Sequence, residues 1–246
     1  MTTSRSRNST VEALAWAGAG AQALFVGGWL IGGAIEGHGY SAARQDISDL
    51  TALTAHYATF NRATLLVSGF LTAAFALWAL RPSLTRPDLR TPISAWLVAL
   101  SLPSLDNISD VFFRLDCRAA DAGCSASHAS ASWHGKTHLL MFAVSALATV
   151  ITPFALAHRM QKLDEWRSVA RPTRLFGVLV VAALLGAGAF GGTVAQGSSQ
   201  RIAATLIAFG VVGLALPVRR HAANSRSRAG ADETSQPPDP SPVVHR

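Results

Sequence analysis

Trp133-His134-Gly135-Lys136-Thr137-His138 leads directly into LLMFAVSALATVITPFALA, residues 139–157, and the reading of this stretch decides the fold. No Asp, Glu, Lys, Arg or His interrupts it between His138 and His158. At about 1.5 Å per residue, such a helix crosses most of a hydrocarbon core roughly 30 Å thick. His134 and His138 stand four residues apart and share one face of that helix. A polar pair therefore sits at the mouth of a membrane helix.

The same pattern recurs outward in both directions. Six stretches lack Asp, Glu, Lys and Arg: residues 13–35, 63–80, 91–105, 139–157, 175–195 and 202–218. The third is short. It reaches spanning length only by running on through Asp106 and Asp110 to Phe113, and Pro103 within it can break or kink a helix. Only 14% of the chain is charged, against about 25% in soluble domains. A soluble bundle is excluded, because six such runs leave too little polar surface to cover them. The expected fold is all-α: a polytopic membrane bundle of six transmembrane helices over residues 11–218. Residues 1–10 and 219–246 are polar and are expected to be disordered cytoplasmic tails.

The net charge of +7 invites a nucleic-acid reading, but its distribution argues for topology. In a six-span chain, 15 of the 21 basic residues fall on one side. The positive-inside rule then places both termini in the cytoplasm and the protein in the cell membrane. The first apolar run, at about 23 residues, exceeds a signal-peptide core of 7–15 and reads as a retained anchor. Cys117 and Cys124, the only cysteines, share an outward loop where an oxidising exterior permits a disulfide, two free thiols being the alternative.

Between the first two spans, Ile47, Leu50, Leu53 and Tyr57 recur at helical spacing, which predicts an amphipathic segment on the outer face. Asp46 and Ser48 can cap its start, and for Ser48 and Asp49 capping and a functional role both stay open. In the third span, Asp106 lies about 20 Å and Asp110 about 26 Å from Ile93 along the axis. His138 lies about 30 Å above His158, within a turn of Asp110. A carboxylate near the bilayer centre costs about 2.5–3.5 kcal/mol, so such groups face a bundle interior or a wet cavity and have a partner.

Four short elements carry a family resemblance. Tyr40, Asp46-Ile47-Ser48-Asp49-Leu50, Asn61 and Gly69 resemble the "YISELG … N … G" signature of the membrane family DUF 998. Phe113-Arg114-Leu115-Asp116 is similar to its "FPTD" element, His134-Gly135 with His138 to its "HG..H", and Gln200-Arg201 to the "QR" before its last helix. Asp49 stands where Glu is usual, Thr51 where Gly is usual and Arg114 where Pro is usual. The resemblance covers about residues 13–218 and implies a six-helix membrane protein; the family carries no assigned function.

Three readings of the outer polar residues follow. In the first, a membrane hydrolase or lipid-modifying enzyme uses Ser48, Asp49, Asp110, His134 and His138 as catalytic groups. Its metal form places zinc on His134, His138 and Asp110, or Asp116 in its place; its metal-free form uses a carboxylate and a His as acid and base. Asn61, Asp106, Asp116 and Arg201 are the accompanying binding residues. In the second, the chain transports, although the inner half lacks matching charges and no inverted repeat is visible. In the third, the chain is a structural or sensory module whose outer loops are tied by salt bridges such as Asp116 with Arg114 or Arg118. The expected partners are membrane lipid and a small-molecule or lipid ligand, with no nucleic acid.

Overall fold

In lipid a backbone must satisfy its own hydrogen bonds, so each long apolar run folds as a helix. The computed structural model describes residues 2–37 and 39–235. Helix α1 spans Thr2–Ile35, α2 Ala58–Ser83, α3 Ile93–Ala99, α4 Asn107–Phe112, α5 Ala126–Ala129, α6 Trp133–Met160, α7 Arg167–Ala189 and α8 Gln196–Ser235. No strand occurs among the described residues. The backbone of residues 2–10 and 219–235, expected as tails, continues α1 and α8 as helix. Met1 and the rest of the expected C-terminal tail, residues 236–246, lie outside the described residues.

Among the described residues five helices, not six, are long and apolar enough to cross a membrane: α1, α2, α6, α7 and α8. The third apolar run is the exception. It stops as α3 at Ala99, passes through an extended Ser101, and resumes as a π-helical turn over Leu102–Asp106 that leads into α4. Pro103, which has no N–H to donate, sits in the first turn of the second piece. The two pieces still run from one end of the bundle to the other. Near α3, Arg159 of α6 donates to the carbonyls of Leu84 and Arg90; beyond α4, His134 meets the carbonyl of Phe112.

Helix α1 packs on α2 and α8, α6 packs on α3 and α7, and the broken run lies between α2 and α6. One apolar core, built on Phe75, Leu80, Leu84, Met160, Leu163 and Trp166, fills the end where Trp16 of α1 meets Arg219 of α8. A smaller one, with Phe25, Trp29, Ile47, Leu50 and Leu65, closes the opposite end. The perimeter stays apolar and exposed, with Trp78, Leu185, Val194 and Phe209 each more than 60% exposed. That surface suits lipid, not water.

The predicted amphipathic helix between α1 and α2 is reduced to one 3₁₀ turn, Ser48–Thr51. Ile47 and Leu50 are buried, but Leu53 and Tyr57 are exposed. The turn carries no side-chain cap; Asp49 instead accepts from the Asp46 N–H. Hydrogen bonds from Arg62 to the carbonyls of Thr51 and Ala52 draw the segment down onto α2 before a longer helix can extend.

Gly69 sets the seat of the broken run. A β-carbon there would lie 2.7 Å from Ile108 Cγ1 and 2.9 Å from the Ser104 carbonyl oxygen. The bare backbone lets α2 and α4 touch, with Ser104 Oγ donating to the Gly69 carbonyl and Asn107 Nδ2 to Ser68 Oγ. Gly69→Ala is expected to destabilise the protein by about 1–3 kcal/mol through overpacking. Thermal unfolding in detergent checks this; an unchanged midpoint would mean the helices part without cost.

Candidate functional site

The segment between α1 and α2 is pinned across the start of α8. Gln196 Nε2 donates to Asp46 Oδ2 at 2.7 Å, and the Ile47 N–H donates to Gln200 Oε1 at 2.6 Å. Arg201 donates to the carbonyls of Ala42 and Gln45 at 2.6 and 2.7 Å and to the Tyr40 hydroxyl, with its guanidinium over the Trp29 ring. Tyr40 is pushed up to about 12 by burial, which outweighs the opposing charge of Arg201. Burial likewise raises Asp46 above the ordinary carboxylate range, against the hydrogen bond from Gln196.

Beneath this cover lies a cavity of about 400 Å³, within the range of small-molecule sites. Phe25, Leu65, Leu102, Phe142, Leu184 and Ile207 form its apolar wall. The polar wall is Asp46, Ser48, Asp106, Asn107, Asp110, His138, Gln196 and Gln200. Among the described residues no Lys or Arg lines it.

The broken run and α6 supply the chemistry. Asp110 Oδ1 stands 2.9 Å from His138 Nδ1, and both residues are 5% exposed. The two atoms are within ion-pair distance but are not aligned for a hydrogen bond with each other. One turn back, Asp106 reaches the same cavity; its Oδ1 is buried and accepts no hydrogen bond from the protein. Helical periodicity puts positions 106 and 110 on one face.

The other sequence-selected residues go elsewhere. Asp49 accepts backbone N–H groups of Asp46 and Ala119, each at 3.1 Å. Burial raises its carboxyl to about 6, the Ala119 N–H opposes this, and the charge of Asp46 adds to it. Asn61 lies against the bare backbone of Gly32 and donates to the Tyr57 carbonyl. Asp116 accepts from the Ser132 hydroxyl and N–H at 2.6 and 2.8 Å, which holds its carboxyl below the usual range. Ser132 in turn caps α6 at the Gly135 N–H. Gly135 must be bare, since a β-carbon would lie 2.7 Å from Ser130 Cα. The expected ion pair of Asp116 with Arg114 or Arg118 does not form: Asp116 is taken up by Ser132, and Arg118 pairs with Glu36 at 2.5 Å and Asp121 at 2.6 Å.

Glu36 is the residue that sequence reasoning missed. It is buried and also accepts the N–H groups of His56 and Tyr57. Its signal was available: it is the single acidic residue closing an apolar run of helix length. Cys117 and Cys124 form a disulfide, with Cα atoms 6.1 Å apart. His134 stacks on Trp133 at 3.8 Å and points to the Phe112 carbonyl, while His138 faces Asp110. The expected zinc set of His134, His138 and Asp110 therefore does not converge, and no three His, Cys, Asp or Glu side chains among the described residues are arranged to hold a metal.

A family model described as "Protein of unknown function (DUF998)" matches residues 19–218. The chain belongs to the DUF998 family. No curated protein and no solved structure matches it. The elements that resemble the family's signatures divide by geometry: Asp49, Asn61, Asp116, Gly135 and Arg201 hold loops and helix ends, while Ser48, Gln200 and His138 line the cavity.

The raised carboxyl of Asp49 has a signed consequence. As pH climbs from about 4, the unfolded chain gives up this proton first, so the folded state loses stability until roughly pH 6 and not beyond. Relative to Asp49→Asn, the wild type is expected to lose roughly 2–3 kcal/mol across that interval. Paired unfolding curves at stepped pH measure it; a difference that stays flat would refute the burial account.

Proposed function

We propose that this DUF998 protein is an integral protein of the cell membrane with both termini in the cytoplasm, and that its cavity receives a membrane-borne ligand from the outward side. The observation that carries the reading is Asp106 Oδ1, buried at the cavity wall and without a protein hydrogen-bond donor, beside the ion-paired Asp110 and His138. Buried carboxylate oxygens are normally satisfied. A ligand hydroxyl, amine or water bound there supplies the missing donor.

Proton transfer is the chemistry that this arrangement suits. Asp106 is the group that exchanges a proton with the ligand. Asp110 and His138 form a positioning pair, since each neutralises the other and together they fix the local field. Ser48 contributes a hydroxyl from the covering loop. The reading is thus a lipid-modifying, acid–base enzyme. The topology is supported by the clustering of Arg81, Arg86, Arg90, Arg159 and Lys162 at the end of the bundle opposite the cavity. A second reading, a structural module, is favoured by the loop-tying roles of Asp49, Asp116 and Arg201. It leaves the bare oxygen of Asp106 without a purpose.

Asp106→Asn keeps the volume and removes the proton-exchanging group. Lipid extracts of cells expressing the wild type are expected to show one lipid class altered relative to empty cells. Extracts with Asp106→Asn are expected to lose that change by a factor of about 10²–10⁴ in rate, with an unfolding midpoint close to wild type. Identical lipid profiles for wild type, variant and empty cells would sink the enzymatic reading.

A further inference from the structure

A second cavity, of about 310 Å³, runs along α6, α7 and α8 toward the basic end. It shares Pro103 and Ile207 with the first, so the two adjoin. Its wall is mostly apolar and contoured by two prolines inside helices, Pro153 and Pro172, with Phe176, Val180 and Leu214; the hydroxyls of Ser101, Thr149, Thr152 and Thr173 on it are taken up by backbone carbonyls. From His138 to Thr149, the first α6 residue on its wall, is eleven residues. That is roughly 16 Å of helix, about half the hydrocarbon core.

Three features say what fits. The polar chamber and the apolar groove adjoin end to end, as the two parts of a lipid do. Among the described residues three carboxyl side chains, one His and no Lys or Arg line the chamber, so a phosphate or carboxylate head would find no cation except His138, which already faces Asp110. The groove also has an approach from the lipid. Only 11% of the apolar window of α7 is buried, against 33–44% for the other four long helices.

From these features we infer that the groove holds one hydrocarbon chain of a lipid whose head, lodged among Asp106, Asp110 and His138, bears hydroxyl or amine donors and no negative charge. The inference rests on the ligand chamber proposed above for the position of the head, and adds the substrate class. Asp106 Oδ1 accepts from the head, and the exposed Gly213 lies on the wall of the groove that takes the chain. A β-carbon at Gly213 would meet no atom within 4 Å. A larger side chain there blocks the groove without a clash and favours the helix more than glycine does.

The experiment uses the full chain in nanodiscs of saturated phosphatidylcholine. Monoolein is the uncharged hydroxyl probe, oleylamine the amine probe, oleoyl phosphate the anionic control and monobutyrin the short-chain control. Thermal shift titrations give apparent affinities. Monoolein or oleylamine is expected to bind at least tenfold more tightly than oleoyl phosphate. Gly213→Leu is expected to weaken the long-chain probe at least tenfold and leave monobutyrin unchanged. A diazirine placed at the chain end of a monoacylglycerol is expected to label wild-type peptides within residues 149–156, 169–180 or 207–214, a readout that needs no variant.

If Gly213→Leu binds monoolein as the wild type does, or the label falls elsewhere, the groove does not take the chain. Should oleoyl phosphate bind as tightly as monoolein and oleylamine, the head assignment fails. Absence of binding by both monoolein and oleylamine overturns the whole inference. Asp106→Asn separates the two levels: groove labelling that persists with unaltered affinity in this variant removes the chamber reading while keeping the chain in place.

Discussion

The hydrogen bond from the Leu102 N–H to Thr149 Oγ1, at 2.9 Å, is the contact on which the rest of the structure depends. A helix that stops inside a membrane frees backbone groups where no water can reach them, at several kcal/mol each. Thr149 supplies the acceptor from α6, and its own hydroxyl donates a hydrogen bond to the Ser145 carbonyl. Pro103 asks for no acceptor at all. With the break satisfied in this way, the chain can resume in a new direction. Ser104 and Asn107 then lock the resumed piece onto α2, and positions 106 and 110 turn toward α6. The break is what lets a membrane-embedded run carry two carboxylates inward.

At both ends of the bundle, arginines do a related task. Arg159 gathers the carbonyls of Leu84 and Arg90, Arg62 those of Thr51 and Ala52, and Arg201 those of Ala42 and Gln45. A guanidinium offers five donors in a fixed plane, which suits loops whose carbonyls converge. Arg118 is directed instead to acids, Glu36 and Asp121, and is itself largely buried, whereas Arg86 and Arg167 meet Glu165 and Asp164 at the surface. Charge at the membrane boundary is thus spent on ordering irregular backbone. The carboxyl of Asp106 stands apart because no such partner reaches it.

Much of this is legible in the sequence. Charge-free length alone specifies α1, α2, α6, α7 and α8, since the bilayer imposes the helical state regardless of detail. The helix rise also puts Asp110 and His138 at one level, because that relation is set by counting along two segments. What counting cannot supply is orientation. His134 has the spacing of a ligand partner to His138, yet its stacking on Trp133 turns it to the Phe112 carbonyl. The periodicity of Ile47, Leu50, Leu53 and Tyr57 is helical, yet Arg62 and Gln200 fold that segment into a cover. The break after Ala99 depends on a threonine 47 residues away from Leu102. Each miss reflects a contact distant in sequence, where local pattern has no information.

The cover over the cavity is fastened by Gln196, Gln200 and Arg201, residues that open the last helix. A ribosome makes the chain from its N-terminus, at about 5–20 residues per second. Asp106 and Asp110 therefore enter the bilayer well before the helix that roofs them exists. During that interval, the two acids and His138 have only one another and the lipid. Assembly of this protein is not a sequence of independent insertions: the final helix acts as a keystone, and a chain truncated before residue 196 would leave its polar interior open to the membrane.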